Sequence, residues 1–179
     1  HTDNRRQRQM CIRDRDMITR NEIDELFEWA STTNFPLYKL NNKEYYANKR
    51  IDYSWNKLVD HKNKTTIRRK FMTDRVIEIH KNPDILWSAI GVFYGGTKVN
   101  KHKDPNIFSE PYKRIQIPIK IPDYDKCYML WEDGRETHWR EGEPQVHYVM
   151  DIAHEGYNNS DDEMIFLMLD IKKSTEVKL

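Results

Sequence analysis

Cysteine, glycine and proline are all sparse in this chain, with two, six and seven residues in 179. Two cysteines, Cys11 and Cys127, cannot build the disulfide framework of a small secreted domain, and a reducing compartment is the simplest setting. So little glycine and proline excludes a collagen-like or low-complexity chain. Long apolar runs are missing too. No stretch approaches the roughly 20 residues that cross a bilayer as a helix, and the N-terminus lacks the apolar core of a signal peptide. The expectation is therefore a cytoplasmic protein with no membrane partner. Nor is there an excess of one charge: 30 Lys and Arg stand against 29 Asp and Glu, a formal net charge of +1. Residues 1–15 hold five Arg and two Asp, which leaves the remainder at −2. A near-neutral body offers nucleic acid no general electrostatic attraction, and none is expected as a partner.

What is present describes a globular domain. Apolar residues make up 37% and charged residues 33%, and five Trp and ten Tyr supply large surfaces for burial and for pocket walls. At 179 residues the chain fits one domain with a real core. Met10-Cys11-Ile12-Arg13-Asp14-Arg15 resembles translated sequencing-adapter read-through, so residues 1–15 are set aside as foreign to the fold. Residues 16–84 are expected to form a helical or irregular N-terminal part, and residues 85–179 the β core of the same domain.

Ile23, Leu26, Phe27 and Ala30 fall at i, i+3, i+4 and i+7, which predicts a helix capped by Asn21 and ended before Pro36. Residues 41–70 fit neither period, and Lys62, Lys64, Arg68, Arg69 and Lys70 make a local basic run. A solvated face explains that run better than a nucleic-acid patch does. A second short helix is expected over 73–80. From Ile85 the pattern turns to strands. Ile85 to Tyr94 is apolar until Gly95-Gly96 breaks it, and Ile115, Ile117, Ile119 and Ile121 alternate with Arg114, Gln116, Pro118 and Lys120. Cys127–Trp131 and Arg135–Trp139 flank a hairpin signal at Asp133-Gly134. Strands are also expected over 146–151 and 164–171, separated by the turn-rich residues 158–162. The fold class is mainly β with N-terminal helices, a jelly-roll or cupin-like barrel.

His102-Lys103-Asp104 carries the chemistry. Residues two apart in an extended segment point to one side, so the imidazole and the carboxylate converge. His154 follows fifty residues after Asp104, beyond another apolar stretch. Two neutral imidazoles and one carboxylate form a facial triad that leaves three positions open on an octahedral iron(II), enough for a bidentate co-substrate and dioxygen. Taken alone, the His-x-Asp pair reads more readily as a solvated loop among Lys98, Lys101 and Lys103. The downstream histidine in a β-rich domain favours the metal.

These stretches resemble the aspartyl/asparaginyl β-hydroxylase family. The matching segments are residues 102–106, residues 113–118, Trp139-Arg140-Glu141-Gly142 and residues 151–158, in order and at similar spacing over roughly residues 90–171. The resemblance implies a double-stranded β-helix with Fe(II) at His102 and His154 and Asp104 completing the ligand set. It also implies 2-oxoglutarate as co-substrate, consumed with dioxygen to succinate and carbon dioxide as a peptide side chain or small molecule is hydroxylated. Arg114 is expected to contact the co-substrate and Gln116 to add a polar contact. A guanidinium inside a barrel needs an anion, although the alternation alone does not say which face of that strand is inside. Asn158 has two readings, a pocket residue for the co-substrate or the first residue of a turn. One departure stands out. Family members place an Arg about ten residues after the second histidine, where this chain has Asp161-Asp162-Glu163. Either Arg114 or another base such as Lys120 supplies the anchor, or the co-substrate differs. The competing reading is a cupin-like metal or ligand-binding module without oxygenase activity. His61, His80, His138 and His147 are expected outside the ligand set, Cys127 is expected to pack, and the oligomeric state is not readable.

Overall fold

The first helix begins at Arg20 rather than after Asn21, because Thr19 makes a better cap than the asparagine. In the computed structural model, which describes residues 17–33, 53–60, 65–66 and 72–179, Thr19 Oγ1 accepts from the Glu22 amide while the Glu22 carboxylate accepts from the Thr19 amide. This reciprocal pair satisfies two amides that a helix start leaves open. A short strand β1 (Met17–Thr19) leads into α1 (Arg20–Thr32), which buries Ile23, Leu26, Trp29 and Ala30. Helix α2 (Asp74–His80) is capped by Thr73 and buries Val76 and Ile79. Residues 1–15, Pro36, His61 and all five bases of the run Lys62–Lys70 lie outside the described residues.

Between the helices the chain makes strands that the composition of residues 41–70 concealed: β2 (Tyr53–Asp60) and β3 (Thr65–Thr66). β2 runs antiparallel to β4, so its ladder comes from a neighbour rather than from its own pattern. The remaining strands are β4 (Ile85–Phe93), β5 (Thr97–His102), β6 (Tyr112–Lys120), β7 (Cys127–Trp131), β8 (Glu136–His138), β9 (Gln145–His147), β10 (His154–Asn158), β11 (Met164–Lys172) and β12 (Glu176–Lys178). One sheet has the order β3-β2-β4-β11-β6-β9 and faces a second of order β5-β10-β7-β8, all pairs antiparallel. A parallel pair, β1 with β12, joins residues 17–19 to residues 176–178. From β4 to β11 the chain changes sheet at every connection except the β7–β8 hairpin. That winding is the double-stranded β-helix. Neither sheet closes on itself.

Strand β6 is buried on both faces. Ile115 and Ile117 join Leu167, Leu169 and Ile171 of β11 in one apolar cluster with α1 and α2. The opposite face of the large sheet, with Phe93, Phe166 and Met168, packs on Cys127, Met129 and Trp131 of the small sheet. Phe166 is fully buried, with ring centroids 6.0 Å from Phe93 and 4.9 Å from Trp139. Phe166→Ala is expected to lower stability by about 3–5 kcal/mol, because the cavity it leaves is walled by rigid strands. Urea unfolding would show this as a lower midpoint at unchanged slope.

Two turns position the site. After β4, Gly96 adopts φ 76° and its amide donates to the Ser160 carbonyl, while a Cβ on Gly95 would stand 2.8 Å from that same oxygen. The glycine pair therefore allows a close crossing of two loops. The second turn corrects a sequence expectation. The strand anticipated over 146–151 stops at His147, and the amides of Asp151 and Ile152 both donate to the Tyr148 carbonyl. This curl carries the chain across to the other sheet, so His154 opens β10 instead of following the end of an apolar strand. Val149 stays buried as part of a local cluster with Leu86 and Tyr112, which explains its apolar character.

Candidate metal centre

Antiparallel register sets His154, the first residue of β10, directly beside His102, the last of β5. Their rings lie 4.6 Å apart between centroids. Asp104 lies just past β5, its amide donating to the Val149 carbonyl at 3.0 Å, and the Tyr112 hydroxyl donates to the Pro105 carbonyl at 3.3 Å. The ligand-type atoms of His102, Asp104 and His154 all fall within 4.8 Å of one another. Asp104 Oδ1 is 3.1 Å from His102 Nε2 and 3.8 Å from His154 Nε2. A metal ion about 2 Å from each donor spaces neighbouring octahedral donors by about 3 Å, so a small inward shift closes the set.

Each imidazole is oriented from behind. His102 Nδ1 lies 2.7 Å from the Asn100 carbonyl and His154 Nδ1 lies 3.2 Å from the Ile152 carbonyl. A carbonyl only accepts, so each ring carries a proton on Nδ1, and in the neutral form, the one that can ligate, Nε2 presents its lone pair on the Asp104 side. The hydrogen bond that Nε2 of the protonated ring donates to Asp104 raises His102 above the ordinary imidazole range, while burial lowers His154. For Asp104, burial pushes upward, but the Arg114 charge and then the His102 hydrogen bond outweigh it and hold the carboxyl at about 2.

Arg114 settles which face of β6 looks inward. Its guanidinium stands between the sheets, with Nη1 2.9 Å from Asp104 Oδ2. Its other edge is taken by Asp170 of β11, Nε to Oδ1 at 2.7 Å and Nη2 to Oδ2 at 2.9 Å. Asp170 is cross-strand from Arg114 and nearly fully buried. Burial pushes the Asp170 carboxyl upward and Arg114 opposes that push. Nothing in the sequence reading singled out Asp170. The available signal was one acid inside the otherwise apolar run Met164–Ile171, which calls for a cationic partner from a neighbouring strand.

The other anticipated residues divide. Gln116 lies two residues along β6 from Arg114, buried, with Oε1 lacking a hydrogen-bond partner. Asn158 is buried at the far end of β10 from His154 and its amide is fully committed: Nδ2 donates to the carbonyls of Phe93 and Asp162, and Oδ1 accepts from the Ser160 hydroxyl and amide and from Cys127 Sγ. It closes the turn before β11. Lys120 pairs with Glu163 at the rim, 3.1 Å apart, and six residues of strand put it about 20 Å from Arg114. Asp161 and Asp162 are exposed, so the acids after β10 face outward. His138 meets the Tyr124 carbonyl through Nδ1 and Glu136 through Nε2, away from the cluster. Gly142 takes φ 74°, a left-handed conformation that suits glycine in the turn between β8 and β9. His147, expected outside the ligand set, faces inward from β9 opposite Arg114, its Nε2 buried and unpartnered. Burial and the nearby Arg114 charge hold it neutral, with a pKa lowered to about 3. The Trp131 ring lies 5.4 Å from both His147 and His154, and it lines a cleft of about 220 Å³ together with Arg135, Thr137, Gln145, His147 and Ile152.

A family model described as aspartyl/asparaginyl beta-hydroxylase matches residues 15–174. No curated protein sequence matches the chain. Among solved structures it is similar to the DMSP lyase DddQ from Ruegeria pomeroyi DSS-3, at 15% identity and TM-score 0.38 over 51% of this chain and 40% of that one. It is also similar to a cupin domain from Bordetella pertussis Tohama I, at 16% identity and TM-score 0.38 over 48% of this chain and 80% of that one. The plu4264 protein from Photorhabdus luminescens shares 13% identity at TM-score 0.42 over 79% of this chain and 92% of that one. This chain thus spans less than half the length of the lyase.

Proposed function

The chain belongs to the aspartyl/asparaginyl β-hydroxylase family, and on that premise we propose that it is an Fe(II)- and 2-oxoglutarate-dependent oxygenase with its metal between His102, Asp104 and His154. The carrying observation is the convergence of two Nε2 lone pairs and one carboxylate oxygen within 4.8 Å. Two nitrogens and one oxygen suit ferrous iron, and their crowding on one side leaves positions for other ligands. When bound, iron and co-substrate supply the activation of dioxygen, with oxidative decarboxylation to succinate and carbon dioxide. The chain's own part is to orient and to exclude. The Asn100 and Ile152 carbonyls hold the two rings, Arg114 holds the outer oxygen of Asp104, and Trp131 packs beside His154 at the wall of the cleft. A peptide side chain or a small molecule would enter there.

The metal fits its donors, but the second carboxylate of 2-oxoglutarate fits less well. Arg114 already meets two carboxylates, Lys120 is paired with Glu163 at the rim, and Arg135 in the cleft wall is largely exposed and paired with Asp133. This observation favours a second reading, a metal-binding module of the same fold that uses no 2-oxoglutarate. Anaerobic titration separates the two. Fe(II) followed by 2-oxoglutarate is expected to produce the visible metal-to-oxoacid charge-transfer band. Iron binding without that band would leave the metal site standing and reject the co-substrate.

A further inference from the structure

We propose that Asp170 is a positioning residue for the metal ligand Asp104, acting through Arg114. The inference rests on the metal-site reading and deepens it. A guanidinium is planar, so two parallel bonds to one carboxylate fix its plane as well as its position. Asp170 makes both, at 2.7 and 2.9 Å, from within a strand that cannot tilt without breaking its ladder to β6. The remaining edge of Arg114 then points at Asp104, and Nη1 takes Oδ2 at 2.9 Å. Oδ1 is left as the oxygen facing His102 Nε2 and His154 Nε2.

The division of labour between the two oxygens has chemical consequences. An Asp104 with Oδ2 held by a cation binds metal through Oδ1 alone, which keeps open a coordination position that a bidentate carboxylate would fill. Sharing its charge with Arg114 also makes Asp104 a weaker donor. The chain Asp170–Arg114–Asp104 places one cation between two anions in the interior. Burying such a group is expensive, and an apolar pair of similar volume often serves stability as well, so the arrangement is explained by what it holds in place. It also means that Arg114 acts on the metal ligand rather than as an idle anchor awaiting a co-substrate carboxylate.

The test uses Co(II) as the probe, bound anaerobically to the full chain, with affinity from calorimetry and coordination from the visible d–d spectrum. Asp170→Asn keeps the volume but loses the charge and one acceptor, and is expected to weaken Co(II) by about 10–100-fold, the range for outer-shell partners of ligands. It is also expected to change the band positions. Arg114→Lys, which cannot bond in parallel, should share both effects. Thermal melts of the metal-free proteins report any purely structural cost, and binding is measured well below the lower melting point. The deciding measurement is a cycle with Asp104→Asn. If Asp170 works through Asp104, Asp170→Asn costs little further affinity once Asp104 is altered. An additive loss in that background, or Asp170→Asn within twofold of the wild type with an unchanged spectrum, overturns the inference while leaving the metal site intact. Failure of the wild type itself to bind Co(II) or Fe(II) overturns both this inference and the proposed function.

Discussion

His154→Ala protein is expected to take up no Fe(II) at concentrations that saturate the wild type. His154 is the most buried of the three donors, and its Nε2 faces Asp104 because Nδ1 is held by the Ile152 carbonyl. His102 and Asp104, both carried by one strand end, leave the opposite side of the site without a donor. Losing an outer-shell partner already costs about 10–100-fold in metal affinity, and losing a ligand should cost more. Anaerobic calorimetry with Fe(II) measures this directly, and uptake within tenfold of the wild type would exclude His154 as a ligand. Wild-type loading should also depend on pH in a definite direction. His102 stands above the ordinary imidazole range and only its neutral form can ligate. At sub-saturating iron, occupancy should therefore fall as the pH drops through that raised range.

Arg114→Ala is expected to lower stability by about 3–5 kcal/mol, the cost of leaving a buried charge without its partner. The loss arises from Asp170, whose carboxylate is 2% exposed and receives both of its side-chain hydrogen bonds from Arg114. For a chain of this size each kcal/mol moves the midpoint by about 2–4 °C, so thermal unfolding should show a drop on the order of 10 °C. The sign with pH distinguishes this cause from lost packing. Burial raises the Asp170 carboxyl even beside Arg114, and removing the guanidinium raises it further. A carboxyl whose folded pKa exceeds its unfolded value binds protons more readily when folded, so stability falls as the pH rises through that window. The deficit of the variant relative to the wild type should thus be largest near neutrality and shrink on acidification. A deficit independent of pH would mean that packing, not charge, is what Arg114 contributes.

Much of this molecule was legible in the chain itself because the signals are local. Alternation over 115–121, the glycine break after β4 and the Asp133-Gly134 turn each depend on a few adjacent residues, and strands or turns formed there. The spacing of Ile23, Leu26 and Ala30 depends only on helical period, and those side chains are buried on α1. His102 and Asp104 were legible as a pair, since two residues of extended chain bring them to one side. Local signals also misled where a neighbour decided the outcome. Val149 looks like a strand residue but is buried in a turn, and β2 looks like loop but is paired by β4.

The residues alone determined the chemistry on offer: two imidazoles, a carboxylate, an arginine on an isoleucine-rich strand, and no surplus of bases after the second histidine. Only the tertiary structure decided how these are used. Both faces of β6 are buried, so alternation could not say that Ile115 and Ile117 join the cluster with the helices while Arg114 enters the space between the sheets. Asp170 lies fifty-six residues from Arg114 and becomes its partner through the antiparallel register of β6 and β11. His154 reaches His102 in the same way, through the register of β5 and β10. Register is set by long-range packing and by the turns between strands, and a shift of one residue would send each of these side chains to the opposite face.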